Sequence, residues 1–161
     1  MKKNNSLIIA SVLFLCTCAM NLQAQTTEYT WSSYKTKFKV PDTFKLEQND
    51  STKFSAGNND FNLTIYPRRG ENLDSSQMAK NLRTWAETNQ VKNLGEITNL
   101  NTEKLNGYWG VFIEGDLEGF PVFEMLIVDP DYPEISLYVW LSYREGKEDD
   151  AIAILTSFTP Y

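Results

Sequence analysis

The stretch from Ile135 to Tyr143 restricts the fold more than any other, because it alternates like a strand yet is apolar in both phases. Successive side chains of a strand point to opposite faces of the sheet. One face receives Leu137, Val139, Leu141 and Tyr143, and the other receives Tyr138 and Trp140. Two apolar faces are buried only when other elements cover both sides. The sequence therefore predicts a central sheet with a layer on either side.

The remaining periodicities supply the rest of the sheet and its covering helices. Strands are predicted at 36–40 and at 61–66, where Pro67 is expected to end the strand, and then in a run at 97–105, 108–113, 120–128 and 135–143. Asn106 and Gly107 tolerate positive φ and predict a hairpin within this run. One helix is predicted after Asp74, with Gln77 as its reciprocal capping partner, and another after the acidic residues 148–150. We expect an α+β fold in which an antiparallel sheet packs against two principal helices and the N-terminal strands.

The N-terminus has the order of a secretory signal peptide. Two lysines precede an apolar stretch, and a short segment of small and polar residues then ends at Gln25. The apolar stretch is too short to span a bilayer. We expect residues 1–25 to be a signal peptide and residues 26–161 to form a single α+β domain, exported to the periplasm or the extracellular space. The alternative is a lipid anchor at Cys18, because Leu15–Cys18 partly resembles a bacterial lipobox.

Composition excludes several chemistries from the 136 residues that follow the predicted signal peptide. The chain has no histidine, and its two cysteines are at positions 16 and 18. This excludes histidine-based triads, thiolate nucleophiles and zinc held by Cys or His from the mature domain, and we expect no cofactor. Removing residues 1–25 removes two lysines and no acid, so the formal net charge changes from −6 to −8. This charge argues against nucleic acid and anionic membrane surfaces as partners.

The order of four features resembles the PsbP-like α/β sandwich family. They are a strand–Pro–turn–Phe element at Phe38–Phe44, a helix at Ser75–Gln90 after the extended Leu63–Ile65, an antiparallel meander with a turn at Gly107–Gly110, and a closing helix at Ala151–Phe158. The resemblance implies a PsbP-like sandwich for nearly the whole mature chain. The family consists mostly of accessory and binding domains and has no shared catalytic motif, so it assigns no functional residue here. By analogy it implies a non-enzymatic binding or assembly role.

Aromatic side chains on the late strands are the first candidate for a binding site. The set is Trp109, Phe112, Phe120, Phe123, Tyr138 and Trp140. On an open sheet face, Trp and Tyr form a stacking surface for a sugar ring, a peptide or another hydrophobic ligand. The ligand-binding candidates are therefore Trp109, Tyr138 and Trp140. The competing interpretation is that these rings are core, since large aromatic side chains are mostly buried. Solvent exposure of Trp109 or Trp140 distinguishes the two.

Two groups of acidic residues are the other candidates. Around one predicted hairpin end lie Glu114, Asp116, Glu118 and Glu124. They contain the carboxylate pair that a glycosidase requires, or they form a solvated acidic turn. Further along, Asp129, Asp131 and Glu134 offer oxygen ligands for calcium, although their spacing lacks the glycine of the twelve-residue calcium loop and also fits a rigid surface loop. The sequence predicts no catalytic residue, and no metal site beyond this calcium candidate.

These observations together predict an exported domain that is not an enzyme. We expect a binding or assembly accessory protein whose partner is a protein or a glycan. Two alternatives remain open: a carboxylate-dependent hydrolase acting on a glycan, and a lipoprotein subunit of a cell-envelope complex. An enzyme would show a cleft with two facing carboxylates, at least one of them desolvated. A binding module would show an exposed apolar patch.

Overall fold

The computed structural model describes residues 25–100 and 105–161. Cys18 and most of the predicted signal peptide lie outside these ranges. The described elements are, in chain order, β1 (Thr26–Trp31), a 3-10 turn (Ser32–Tyr34), β2 (Thr36–Pro41), β3 (Lys45–Asn49), β4 (Phe54–Gly57), β5 (Phe61–Arg69), α1 (Ser75–Thr88), β6 (Thr98–Leu100), β7 (Trp109–Leu117), β8 (Phe120–Val128), β9 (Ile135–Tyr143), α2 (Glu148–Leu155) and β10 (Thr159–Pro160).

The strands form two antiparallel sheets. The main sheet has seven strands in the order β3-β4-β5-β9-β8-β7-β6, and the small sheet has the order β1-β2-β10. Every described strand pair in both sheets is antiparallel. The predicted α+β class, with an antiparallel sheet and two principal helices, is confirmed.

One face of the main sheet is buried against the small sheet and α2. This face carries the odd-numbered residues of β9, and its core extends to buried side chains of β2 and α2. Aromatic contacts join the layers: the Phe38 ring of β2 meets the Phe54 ring of β4 edge to face, with 4.9 Å between centroids, and stacks on the ring of Phe158, which follows α2, at 4.8 Å. The N-terminal strands and the final helix, which are among the predicted covering elements, therefore cover this side of the sheet.

The opposite face is covered by α1, and we call it the α1 face. It carries Tyr138 and Trp140 of β9, and α1 packs mainly against β7 and β8. The predicted capping box begins the helix: Asp74 accepts hydrogen bonds from the backbone N–H groups of Ser76 and Gln77, and the Gln77 side chain accepts one from the Asp74 N–H. This cap fixes where the helix begins, and α1 then crosses the sheet and ends at Thr88.

Glycine at position 115 lets the segment after α1 lie directly on β7. A Cβ atom there would lie 2.5 Å from Val91 Cγ1 and 2.7 Å from the Lys92 carbonyl oxygen. Lys92 and Asp116 instead exchange two backbone hydrogen bonds of 2.8 and 2.9 Å. The segment after α1 is thereby held over the β7 end of the α1 face.

Two predicted boundaries differ from the structure. Of the strand predicted at 97–105, Thr98–Leu100 form β6, residues 101–104 lie outside the described ranges, and Asn106 and Gly107 form a turn between Leu105 and Tyr108. The Asn106 side chain donates to the carbonyls of Thr156 and Phe158 at 3.0 Å, so this turn is tied to the segment that follows α2. In addition, β5 continues through Pro67 to Arg69.

The extension of β5 past Pro67 has a simple cause. Residues 62–65 pair with β4, whereas residues beyond Ile65 pair only with β9. Proline is tolerated in a strand where one side is an edge, since the missing N–H then leaves no ladder partner unsatisfied.

Candidate functional site

A groove lies on the α1 face where α1 ends and β5 remains uncovered. It has a volume of about 620 Å³. We call it the Trp140 groove and define it by the six lining residues on which its chemistry depends: Asn62, Thr64 and Tyr66 of β5, Trp85 of α1, Asn89 just after α1, and Trp140 of β9. The groove exists because α1 covers β7 and β8 and leaves the β5 side of the same face open.

Three aromatic rings line the groove. Trp85 and Trp140 meet edge to face, with centroids 6.2 Å apart and planes at 88°. Tyr66 meets Trp85 in a similar way, at 6.2 Å and 68°. Tyr66 is 41% exposed, Trp140 is half-buried and Trp85 is almost fully buried. The groove therefore offers aromatic surface to a ligand while Trp85 anchors that surface to the core.

Uncharged polar side chains form the rest of its floor and wall. Asn62 is exposed, Thr64 is largely buried, and Asn89 is half-buried at the end of α1. The only hydrogen bond that joins side chains of this group among the described residues is a 3.5 Å contact from Thr64 Oγ1 to Asn62 Oδ1. The Asn62 Nδ2 donor is thus left for water or a ligand within the described part of the chain. None of the described lining residues is acidic, and the one cation is Arg68.

A buried carboxylic acid lies next to the groove. Glu124 pairs directly with Trp140 across β8 and β9 and is 1% exposed. Neither of its carboxyl oxygens has a hydrogen-bond partner among the described residues. Burial raises the pKa of Glu124 to about 8, and the side-chain amide of Asn89, which lies close to the carboxyl group without meeting hydrogen-bond geometry, offsets part of that rise. At neutral pH the acid is therefore mostly protonated.

The three predicted ligand-binding residues lie in different surroundings. Trp140 lines the groove. Tyr138 is buried beside it: its hydroxyl donates to Glu71 at 3.2 Å and the Arg68 guanidinium lies 4.5 Å from its ring centroid. Burial and the negative charge of Glu71 raise the pKa of Tyr138 to about 12. Trp109 is half-buried and lines a separate pocket of about 360 Å³ near the start of α1.

The other aromatic candidates do not join the groove. Phe112 and Phe123 lie on the opposite face and belong to the core between the sheets, where their centroids are 5.8 Å apart. Phe120 is 64% exposed at the start of β8. The strands of all six aromatic residues are neighbours, as predicted, but the alternation of side chains distributes them over both faces.

The four acidic candidates do not converge on one site. Glu114 and Glu124 lie on opposite faces, because Ile113, next to Glu114 in sequence, is the cross-strand partner of Glu124. Glu114 accepts a 2.6 Å hydrogen bond from the Tyr143 hydroxyl. Asp116 accepts one of 2.9 Å from the Asn93 amide, and Glu118 is exposed in the β7–β8 turn. Glu124, the buried acid of the group, therefore does not face Glu114. Glu114 and Asp116 share one face of β7, but each is engaged by another side chain, Tyr143 and Asn93 respectively.

The calcium candidate has no assembled ligand set. The Asp129 side chain accepts a hydrogen bond from the Asp131 N–H at 2.9 Å, which makes it a local turn contact. Within residues 25–100 and 105–161, no group of three His, Cys, Asp or Glu side chains is placed to hold a metal ion. Asp129 also borders a small cavity of about 90 Å³ lined by Tyr34, Tyr108 and Tyr132.

Sequence reasoning missed most of the groove, although one signal was present. The side of β5 that faces α1 carries Asn62, Thr64 and Tyr66, whereas β8 and β9 are almost wholly apolar. A polar face on one strand of a sheet that is otherwise apolar on both sides indicates that its cover stops there. A second signal was Glu124 itself: it is the only charged residue between Val122 and Val128, and a single acid in an apolar strand indicates a carboxyl group close to the core.

The fold of this chain matches solved structures. Cyanobacterial PsbP (CyanoP) from Synechocystis sp. PCC 6803 superposes with a TM-score of 0.60 and 13% identity, over 91% of this chain and 99% of that one. The Ran-binding protein Mog1p of Saccharomyces cerevisiae gives 0.57 and 9% identity, over 85% and 96%. A Bacteroides thetaiotaomicron protein gives 0.50 and 11% identity, over 85% of this chain and 49% of that one.

At these identities the similarity establishes the fold. The PsbP-like α/β sandwich that the sequence resembles is thus confirmed as the architecture of the chain. No protein-family model matches the sequence, and no curated protein matches it. Among the described helices, neither is long and apolar enough to cross a membrane.

Proposed function

We propose that this chain is an exported, non-catalytic binding or assembly accessory domain that binds its partner in the Trp140 groove. The observation that carries the proposal is the combination, in one open groove, of exposed Tyr66, half-buried Trp140 and the Asn62 Nδ2 donor, which has no partner among the described residues. Ligand sites are concave surfaces of mixed apolar and polar character, and about 300–1,000 Å³ in volume. The groove has this volume and this composition.

Binding rather than hydrolysis is the function that the acids of the α1 face favour. Glycoside hydrolysis by the common mechanisms needs two carboxyl groups about 5–10 Å apart. Besides Glu124, two other described acids contact this face on the β5 side. Glu71 accepts a hydrogen bond from the Tyr138 hydroxyl at 3.2 Å and pairs with Arg68 at 3.4 Å, so its carboxylate is already engaged. Glu47 accepts a hydrogen bond from Ser55 Oγ. Ser55 pairs with Thr64, Thr64 with Trp140, and Trp140 with Glu124, so three strand spacings of about 4.8 Å separate Ser55 from Glu124.

The shared fold supports a binding role without naming a partner. Mog1p, with which the chain shares its architecture, is described as a Ran-binding protein. A domain of this fold can therefore serve as a binding protein. The ligand is decided by the site and not by the fold, because one fold carries many functions.

Export is the second part of the proposal and predicts a shortened N-terminus. The protein recovered from cells that produce it is expected to begin at Gln25 or Thr26, because the signal-peptide order ends there. Intact-mass spectrometry of the protein from each cell fraction measures this. A chain that begins with an acylated Cys18 in the membrane fraction would instead establish the lipoprotein alternative, and a full-length chain in the cytoplasm would contradict export.

Loss of the Trp140 indole is expected to remove binding. The immobilised protein is incubated with soluble and solubilised envelope material of the producing cells, and the retained components are identified by mass. Truncation of an aromatic anchor costs about 2 kcal/mol or more, which lowers affinity about thirtyfold. We therefore expect W140A to lose the component that the wild type retains.

The matched control for W140A is W109A, which removes the same side chain from a half-buried position outside the groove. W109A is expected to retain the component as the wild type does. Equal retention by W140A and the wild type, with both variants folded by circular dichroism, would contradict the placement of the site.

A further inference from the structure

We propose that the Trp140 groove binds an uncharged glycan chain. This inference rests on the proposed function and names the ligand class for that site. A sugar ring presents C–H groups on its faces and hydroxyl groups around its rim. A site for it needs aromatic surface together with side chains that both donate and accept hydrogen bonds. The groove brings these two kinds of group together.

The aromatic surface is supplied by two strands of the floor. Thr64 is the direct cross-strand partner of Trp140, so Tyr66, two residues further along β5, is the diagonal neighbour of Trp140 on the same face. Diagonal neighbours are about 7–8 Å apart and within reach of the same bound molecule. Because Tyr66 is 41% exposed and Trp140 half-buried, this pair offers ring surface to a chain laid along the groove.

The polar groups of the groove match hydroxyl groups better than charged groups. The amides of Asn62 and Asn89 each carry a carbonyl acceptor and an NH₂ donor, and the Thr64 hydroxyl is both donor and acceptor. No described acid lines the groove to attract a cationic ligand. Its one cation, Arg68, lies 3.4 Å from Glu71 and over the Tyr138 ring, so its charge is already paired. An uncharged ligand therefore fits this lining best, because a charged ligand would find no free opposite charge in the groove.

An extended peptide is a poorer match for the floor. Peptides that add to a sheet bind through free main-chain groups at a strand edge. At Asn62 and Thr64, β5 is paired with β4 on one side and with β9 on the other. At Trp140, β9 is paired in the same way with β5 and β8. The main chain below the groove is therefore already hydrogen-bonded, and a ligand there has only side chains to meet.

The test uses the purified protein on an array of neutral and acidic glycans, followed by calorimetric titration with cellotriose, maltotriose, N-acetylated chitotriose and trigalacturonic acid. We expect binding to at least one neutral glycan and weaker binding to the uronic acid oligomer. Y66A and W140A are each expected to weaken the binding about tenfold or more, whereas W109A changes it by less than about twofold. Y66A alters an exposed side chain and keeps the test valid if W140A proves poorly folded.

The other outcomes contradict either the glycan inference or the placement of the site. If no neutral glycan binds, the glycan inference is wrong. If, in that case, W140A still loses envelope material that W109A retains, the groove remains the binding site and its ligand is a protein. If a glycan binds and its affinity falls in W109A but not in Y66A or W140A, both the glycan inference for this groove and the placement of the site are wrong.

Discussion

Glu124→Gln is expected to abolish most of the loss of stability that the wild-type protein shows as the pH rises from about 5 to about 9. In the folded protein, burial raises the pKa of Glu124 from 4.5 to about 8. Between these two values the native state holds a proton that the unfolded state releases. Stability therefore is greatest below the unfolded pKa and falls as the pH rises through the folded pKa.

The size of this effect follows from the shift in pKa. Each unit corresponds to about 1.4 kcal/mol, so the free energy of unfolding is expected to fall by about 3–5 kcal/mol over this range. Glutamine keeps the shape and polarity of the side chain and cannot ionise, so the variant should show a much flatter profile. Urea unfolding followed by circular dichroism at several pH values measures both curves.

The control for this experiment is Glu118→Gln, which makes the same chemical change at an exposed turn position. E118Q is expected to follow the wild-type curve within about 0.5 kcal/mol, as surface substitutions usually do. A wild-type stability that stays constant or rises between about pH 5 and about pH 9 would contradict the buried, unpartnered state of Glu124.

Phe158→Ala is expected to destabilise the domain by about 3–5 kcal/mol, the usual cost of removing a buried phenylalanine. Phe158 has no solvent exposure and stacks on Phe38 at 4.8 Å. Phe38 in turn meets Phe54 of β4 edge to face at 4.9 Å. The ring of Phe158 thus supports the Phe38 ring, which joins the small sheet to the main sheet, and its loss leaves a cavity in the core beside Phe38.

Phe120→Ala is the matched control, because it removes the same side chain from a position that is 64% exposed. It is expected to change the free energy of unfolding by less than about 0.5 kcal/mol. Urea midpoints at constant pH compare the two variants. Similar small losses in both would mean that the contact between the two sheets contributes little to stability, contrary to the core described above.

The sequence was most informative where one local preference decides the structure. β8 and β9 occupy the predicted residues because their β-branched and aromatic runs fit a strand covered on both faces. The start of α1 is as predicted because Asp74 and Gln77 satisfy its first N–H groups. The end of β5 was predicted too early, since the tolerance of Pro67 depends on β4 ending opposite Ile65, which is a tertiary fact.

The candidate site could be predicted only in part for the same reason. Trp140 was identified from its residue type and strand. The groove beside it depends on how far α1 extends over the sheet. Glu124 was grouped with Glu114 by proximity in sequence, whereas strand register places the two carboxyl groups on opposite faces. Strand alternation was visible in the sequence, but the pairing of β7 with β8 was needed to show which acid is buried.

The proposed function depends on the Trp140 groove being the place where this chain binds its partner. The most direct measurement is ¹⁹F NMR of protein labelled with 5-fluorotryptophan, recorded before and after addition of the retained envelope component. The four tryptophans, Trp31, Trp85, Trp109 and Trp140, give separate signals that single substitutions assign. We predict that the Trp140 signal shifts most, followed by Trp85, while Trp31 and Trp109 stay in place. A shift confined to Trp109 or Trp31, with Trp140 unchanged, would contradict the account.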